Sequence, residues 1–284
     1  MNRLAGKIAV ITGGCSGIGR ATMEQFLEEG AQVLIADIQD DTGEAIAAQS
    51  NGRVRYQHCD VTQESDIAAT MDAAAAAFGG LDIVFNNAGA GGTRLPIEEM
   101  TGEAWDQTQA LLLRSVALGI RYAVPHMRAR GGGAIINTAS IAGMQAGWSQ
   151  IAYAVAKAGV IHLTRVAAAD LARYQIRVNA VCPGYILTNI FTASTSLTGE
   201  AVDRVNHALA HFSPRAQPVR TAGSARHIAD ACVYLASAES AFVNGTHLVV
   251  DGGITIGPRH SWDPDVPSPV RDVIVRAVKQ QDGT

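Results

Sequence analysis

Short apolar runs alternate with longer, alanine-rich stretches from Lys7 to about Asp251. Strands covered on both faces are nearly all apolar, whereas helices need longer stretches with an apolar stripe. The pattern predicts strands at Ile8–Ile11, Val33–Asp37, Val54–His58, Ile83–Asn86, Ala134–Thr138, Arg177–Val181 and His247–Val250. Helices are predicted near 17–29, 41–50, 63–78, 101–130, 149–174 and 224–237. This alternation predicts an α/β fold with a doubly wound, seven-stranded parallel sheet between two helical layers.

Two segments break this rhythm. Residues 186–222 are too long for an ordinary connection and are interpreted as an insertion near a substrate site. The tail from 257 to 284 is rich in proline, and Ser268 and Pro269 have the residue types of a helix start. An apolar stripe is expected on that short helix, formed by Val270, Val273, Ile274, Ala277 and Val278. The stripe could cover either a neighbouring subunit or the chain's own surface.

Length and composition favour one large domain, residues 1–256, followed by this tail. The net charge of −4 offers no general attraction to nucleic acid or to an anionic membrane, so neither partner is expected. The first apolar run, Ile8–Ile11, is too short for a signal peptide or a membrane span. The four scattered cysteines are expected to be reduced. These features predict a soluble, cytoplasmic protein.

A glycine-rich loop from Thr12 to Gly19 follows the first predicted strand and precedes a helix. Glycines at this position let the backbone approach a pyrophosphate at a helix N-terminus. Asp37 ends the second strand, where a carboxylate binds adenosine ribose hydroxyls and repels a 2′-phosphate. The following residue, Ile38, offers no cation for such a phosphate, so NAD is expected rather than NADP.

A second group of residues can transfer a proton. Tyr153 and Lys157 are four residues apart on a predicted helix and therefore share one face. A nearby cation favours the ionised form of a phenol, so Lys157 is expected to lower the pKa of Tyr153. Ser140 can hold a substrate oxygen, and the three residues together can move a proton on or off an alcohol.

The glycine loop, Asp37 and the Ser–Tyr–Lys group together resemble the short-chain dehydrogenase/reductase family over roughly residues 4–255. Further family motifs match in order: Asp60-Val61, Asn86-Asn87-Ala88-Gly89, the segment 179–184 with its Pro-Gly turn, Thr188, and Asp251-Gly252-Gly253. The resemblance implies a Rossmann-type fold, an NAD cofactor, and Ser140, Tyr153 and Lys157 as catalytic residues. It implies that the cofactor is bound by Gly13, Cys15, Ser16, Gly17, Ile18, Gly19, Asp37, Ile38, Asp60, Val61, Asn87, Ala88, Gly89, Tyr153, Lys157, Pro183, Gly184, Ile186 and Thr188.

The implied activity is NAD-dependent interconversion of a secondary alcohol and a ketone, in a homotetramer or homodimer. One position departs from the family pattern, because Leu112 stands where the family has a fourth catalytic residue, an asparagine. Two alternatives stay open: an NADP-dependent carbonyl or 3-ketoacyl reductase, and a non-catalytic dinucleotide-binding sensor or scaffold. No metal is expected, because no HxxxH or HExxH spacing is recognised among the eight histidines.

The substrate, a small and moderately apolar alcohol or ketone, is expected to lie above the nicotinamide. Its predicted pocket residues are Arg94, Met144, Gln145, Trp148, Tyr185, Ile190 and Phe191. Arg94 could equally be a solvated loop residue, and Met144 and Trp148 could belong to the core.

Overall fold

A seven-stranded parallel sheet forms the centre of the protein. The computed structural model describes residues 2–191 and 197–281, except for the side chains of residues 191, 280 and 281. The sheet strands are β1 Ile8–Thr12, β2 Gln32–Asp37, β3 Val54–His58, β4 Ile83–Asn86, β5 Gly133–Thr138, β6 Ile176–Pro183 and β9 His247–Val250. The strand order in the sheet is β3-β2-β1-β4-β5-β6-β9. It reverses between β1 and β4, which opens a crevice at the carboxyl ends of these strands. The predicted fold is confirmed.

Helices cover both faces of the sheet. They are α1 Gly17–Glu28, α2 Asp40–Ala48, α3 Glu64–Phe78, α4 Gly102–Gln109, α5 Ser115–Ala129, α6 Ile151–Leu171, α7 Glu200–Ala216, α8 Ala225–Ala236 and α9 Pro269–Gln281. Successive strand residues point to opposite faces. Val10 therefore packs with Val160 of α6, whereas Ile11 packs with Phe26 of α1 and Ile228 of α8. The two apolar cores fix the sheet between its helical layers.

The helix predicted over 101–130 is interrupted. Between α4 and α5, residues Ala110–Arg114 form a π-helical turn, and the amide of Ser115 donates to the carbonyl of Ala110. Leu113 of this turn contacts Gly159 of α6, where a Cβ would come within 2.8 Å of it. A π-helical turn can carry the same apolar pattern as an α-helix, so the sequence did not reveal this interruption.

The insertion is more regular than its sequence suggested. A two-residue strand, β7 Ile186–Leu187, pairs with β8 Gly223–Ser224, and α7 lies between them in the chain.

The chain leaves the sheet at Asp251, whose carboxylate accepts hydrogen bonds from the amides of Gly253 and Thr255. The tail ends in α9, which begins at Pro269 as predicted. Its apolar stripe does not cover the described part of the chain, because Val273 is 67% exposed and Ile274 is 57% exposed.

By length and hydropathy alone, the segment Ile151–Tyr174 could cross a membrane. It comprises α6, which packs on the sheet with Val160, Ile161 and Ala168 in the core. This segment is therefore a core helix, and it carries both Tyr153 and Lys157.

Candidate active site

The glycine loop between β1 and α1 has a shape that only glycine permits at two points. Gly13 and Gly17 have φ angles of +66° and +51°, in the left-handed region. A Cβ at Gly19 would overlap the carbonyl oxygen of Gly13, so this residue lets the first turn of α1 pack under the loop. The loop thus brings bare backbone to the start of a helix, which fits the pyrophosphate of a dinucleotide.

Asn87, just after β4, holds this loop in place. Its side-chain amide donates to the carbonyls of Thr12 and Gly13, at 3.0 and 3.3 Å. Its oxygen accepts a hydrogen bond from the Thr138 hydroxyl at 3.3 Å. Asn87 therefore links the phosphate side of the site to the end of β5, from which the catalytic side is built.

Asp37 lies at the end of β2 and is 7% exposed. One carboxylate oxygen accepts from the amide of Cys15 at 3.0 Å, and the other accepts from the amide of Ile38 at 2.8 Å. The Gln39 side chain also donates to the second oxygen, at 3.2 Å. Backbone amides thus fix the carboxylate at the rim of the cavity, where ribose hydroxyls can donate to its remaining lone pairs.

Ser140, Tyr153 and Lys157 lie together, because α6 packs against the end of β5. Lys157 is 3% exposed, and its Nζ donates to the carbonyl of Thr138 at 2.7 Å. The Lys157 Nζ lies 5.6 Å from the ring centroid of Tyr153. The Ser140 hydroxyl accepts from the amide of Ala142 at 3.2 Å, which leaves its own proton available for Tyr153 or a substrate oxygen.

Burial dominates the electrostatics of these groups. It lowers the pKa of Lys157 from 10.5 to about 8. It also raises the pKa of Tyr153, and the hydrogen bond with Ser140 opposes this shift. The net direction for the phenol is opposite to the sequence expectation, because in the protein alone desolvation outweighs the hydrogen bond with Ser140. Burial raises the pKa of the neighbouring Cys182 thiol to about 12, so it stays neutral near the site.

A cavity of about 420 Å³ runs from Asp37 to Lys157 along the carboxyl ends of the strands. Most of the residues predicted to bind the cofactor line it: Gly13, Ser16, Gly17, Ile18, Asp37, Ile38, Asp60, Val61, Asn87, Ala88, Gly89, Tyr153, Lys157 and Thr188. Of the others, Cys15 supports Asp37 from behind and Gly19 lies under Gly13. The remaining three, Pro183, Gly184 and Ile186, line a second cavity that begins at the catalytic residues.

Several lining residues carried no recognisable sequence signal. Gln39 and Leu111 line the cofactor cavity, and Thr138 lines both cavities while anchoring Lys157. Their role comes from backbone position, which residue type alone does not reveal.

The second cavity, hereafter the catalytic cavity, has a volume of about 270 Å³ and contains Ser140 and Tyr153 in its wall. Of the predicted substrate residues, Arg94, Trp148, Tyr185 and Ile190 line it. Met144 instead packs against the core, and Gln145 faces a separate cavity beside the tail, so neither lines the catalytic cavity as predicted. The side chain of Phe191 lies outside the described residues.

Leu112 lies in the π-helical turn and is 1% exposed. Its side chain lines the cofactor cavity, and its Cδ2 atom would be 3.0 Å from a Cβ at Gly89. The leucine side chain is thus an apolar packing element beside the cofactor cavity, at the position where the sequence resemblance predicts the family's asparagine.

One pair of histidines contradicts the expectation that no HxxxH spacing occurs in the chain. His207 and His211 on α7 have HxxxH spacing, and their rings stack with centroids 6.1 Å apart. No group of three or more potential ligands that could hold a metal occurs within residues 2–191 and 197–281. Two imidazoles without further protein ligands fall short of a typical metal site, and the expectation of no metal stays a prediction.

Comparison with known proteins identifies the relatives of this chain. A family model described as enoyl-(acyl carrier protein) reductase matches residues 13–255. The chain is 40% identical to 2,5-dichloro-2,5-cyclohexadiene-1,4-diol dehydrogenase of Sphingobium indicum, over 90% of this chain and 99% of that protein. It is also 40% identical to cis-4-hydroxycyclohexanecarboxylate dehydrogenase of Sinomonas cyclohexanicum, over 88% of this chain and 97% of that protein.

Among solved structures, levodione reductase is similar at 33% identity and a TM-score of 0.80, covering 90% of this chain and all of that one. Sequence motifs, sheet order and these matches all agree. The chain belongs to the short-chain dehydrogenase/reductase family, whose members use a nicotinamide dinucleotide.

Proposed function

We propose that the protein is an NAD-dependent oxidoreductase that interconverts a cyclic secondary alcohol and the corresponding ketone. The observation that carries this proposal is the position of Tyr153. It lies in the wall of both cavities, beside Ser140 on one side and Lys157 on the other. A substrate oxygen in the catalytic cavity and a nicotinamide in the cofactor cavity would therefore meet at this phenol.

Each of the three residues has a distinct task. Ser140 donates to the substrate oxygen and holds it against the Tyr153 hydroxyl. Tyr153 takes the alcohol proton during oxidation and returns it during reduction. Lys157, held by the Thr138 carbonyl, places a positive charge under the phenol and is available to a ribose hydroxyl. The cofactor, when bound, accepts or delivers the hydride, and its oxidised ring adds a positive charge that offsets the cost of ionising the buried phenol.

The preference for NAD rests on Asp37. Its carboxylate is buried, fixed by backbone amides, and located at the rim of the cofactor cavity. A 2′-phosphate there would meet a negative charge at close range, whereas ribose hydroxyls find an acceptor. The exposed neighbour Ile38 supplies no compensating charge.

The substrate class is inferred from the cavity and the relatives together. Trp148, Tyr185 and Ile190 give the catalytic cavity an apolar, partly aromatic wall, which suits a ring. The names of the relatives reported above refer to ring-bearing diols, hydroxy acids and ketones. We extend that class, a ring carrying a secondary alcohol or ketone, to this protein.

The proposal includes the assembly and its location. Residues 1–256 form the dehydrogenase domain with the insertion at 186–222, and 257–284 form an appended tail. The protein is a cytoplasmic homotetramer or homodimer, as in the family, and the exposed stripe on α9 is available for a subunit contact.

The test is a panel of cyclic, aliphatic, aromatic and steroidal secondary alcohols, followed at 340 nm with NAD and with NADP. The expected result is turnover of at least one cyclic alcohol, with a higher kcat/KM for NAD. A preference for NADP would contradict the cofactor assignment, and turnover of straight-chain alcohols alone would contradict the substrate class. Asp37→Ser combined with Ile38→Arg should reverse the cofactor preference while leaving the choice among alcohols unchanged.

A further inference from the structure

A third cavity, of about 410 Å³, lies between the loop after β5 and the C-terminal tail. Gln145 and Trp148 form one side of it, and Pro258, Arg259 and Trp262 of the tail form another. We call it the tail cavity. Trp148 also lines the catalytic cavity, so this residue lies between the two spaces and forms a partition.

Trp148 is held in this partition by polar contacts on the tail side. Its indole N–H donates to the Gln145 side-chain oxygen at 3.3 Å, and the Gln145 amide donates to the Thr255 carbonyl at 3.5 Å. On the catalytic side its ring makes an edge contact with Tyr185, with centroids 6.2 Å apart. The polar contacts are long, so a ligand group can displace this partition at small cost.

The wall of the tail cavity combines apolar surface with a charged side chain. Trp148, Ile254 and Pro258 give it apolar surface, and Arg259 is the one charged side chain among the described residues that line it. The Nε of Arg259 donates to Asp263 at 2.8 Å, which orients the guanidinium. Asp263 is 5% exposed and also accepts from the amide of Asp265, so the carboxylate that holds Arg259 is itself fixed.

Only the Nε donor of Arg259 has a hydrogen-bond partner within the described chain, and its side chain is 54% exposed. A guanidinium presents five N–H donors in a planar fork that matches a carboxylate. A cavity with apolar walls and a pre-oriented arginine suits a ligand with an apolar ring body and an anionic end.

The catalytic cavity alone is small for a whole ligand. Its volume of about 270 Å³ lies below the range of roughly 300–1,000 Å³ usual for small-molecule sites. Displacement of the Trp148 partition would join it to the tail cavity, and the combined space would lie well inside that range.

We propose that the tail cavity is a distal substrate subsite, in which Arg259 binds a carboxylate of a cyclic alcohol whose carbinol is at Tyr153. The proposal rests on the proposed function and extends it to a substrate class: elongated, ring-containing hydroxy acids. It also assigns a role to the tail, because Arg259 and Trp262 then determine the substrate specificity of the active site in their own chain.

The test uses two alcohols that differ only at the far end: 4-(4-hydroxycyclohexyl)benzoate, and the same molecule with a methyl group in place of the carboxylate. Arg259→Leu should lower kcat/KM for the carboxylate probe at least tenfold and change it less than twofold for the methyl probe. Arg259→Gln, which keeps a donor for Asp263, should give a similar selective loss. Arg220→Leu is the matched control, because Arg220 also acts on Asp263 but does not line the cavity.

Binding measurements test the distal subsite independently of the proposed enzymatic function. Calorimetry of both probes with the Tyr153→Phe protein and NAD measures the subsite without turnover. Tighter binding of the carboxylate probe, lost in Arg259→Leu, would support the subsite even if neither probe were oxidised. Equal affinity for the two probes, or an equal loss for both in the Arg259 variants, would overturn it.

Discussion

At the scale of single residues, the site is built around a buried cation. Lys157 is almost fully enclosed, and burial lowers its pKa to about 8. At neutral pH it is still protonated, so the fold bears the cost of a desolvated charge. The hydrogen bond to the Thr138 carbonyl offsets only part of that cost, as expected for a residue retained for function.

Lys157→Met should therefore raise the free energy of unfolding at pH 7, by up to about 3 kcal/mol from the size of the pKa shift. Between about pH 8 and 10.5 the unfolded chain holds a proton that the folded chain lacks. The stability of the wild type relative to the variant should then rise with pH through this window. Urea unfolding of both proteins at pH 7 and pH 9.5 checks this; a variant less stable at pH 7 would contradict it.

Ser140 should act on the phenol as well as on the substrate. Its hydrogen bond lowers the pKa of Tyr153, so Ser140→Ala should raise that pKa. Alcohol oxidation requires the ionised phenol, and the acid limb of the kcat/KM profile should move to higher pH. Ser140→Thr keeps the hydroxyl and is the control. An Ala variant that loses activity without a shift in its profile would leave Ser140 with a substrate-holding role alone.

At the scale of elements, the π-helical turn at Ala110–Arg114 is the main departure from regular structure near the site. Such turns change the register of backbone hydrogen bonds and are frequent at functional sites. Leu112 stands where the sequence resemblance predicts the family's asparagine, so the turn forms here without a side-chain amide at that position.

Leu112→Asn should therefore change turnover less than tenfold, because the catalytic trio does not depend on this side chain. It should also lower stability by about 1–3 kcal/mol, since an amide would be buried among apolar atoms. Leu112→Met is the control for packing. Steady-state kinetics and urea unfolding measure both effects, and a rescue of activity from near zero would contradict this view.

The sequence predicted some of these elements and not others, and each outcome has a physical reason. The sheet strands were recognisable because burial on both faces makes them apolar, as in Ile8–Ile11. The π-helical turn was not, because its residues are as apolar as those of an α-helix. The directions in which Met144 and Gln145 point depend on a single 3₁₀ turn, Ile141–Gly143. Such a short turn leaves no periodic pattern of apolar residues in the sequence.

At the scale of the whole molecule, the tail is the feature that a family comparison does not explain. It passes beside Trp148 of its own chain and ends in a helix whose apolar stripe is exposed. The tail cavity could not be predicted from the sequence, since Gln145 and Thr255 meet across 110 positions of the chain.

Two truncations should separate the roles of the tail. Removing 268–284 deletes α9 but keeps Arg259 and Trp262, and it should reduce the assembly size with little change in KM. Removing 258–284 should change both the assembly size and KM, because one wall of the tail cavity is lost. Light scattering and steady-state kinetics on both proteins provide the test. No change in either quantity for the longer deletion would refute both roles.

The central claim, that Tyr153 is the acid/base of an NAD-dependent alcohol oxidation, is tested most directly by Tyr153→Phe. This change removes one oxygen from a packed ring and should leave the fold and NAD affinity nearly unchanged. Turnover of the best alcohol in the panel should fall by at least a thousandfold, while calorimetry shows NAD binding within threefold of the wild type. Turnover within tenfold of the wild type would contradict the account.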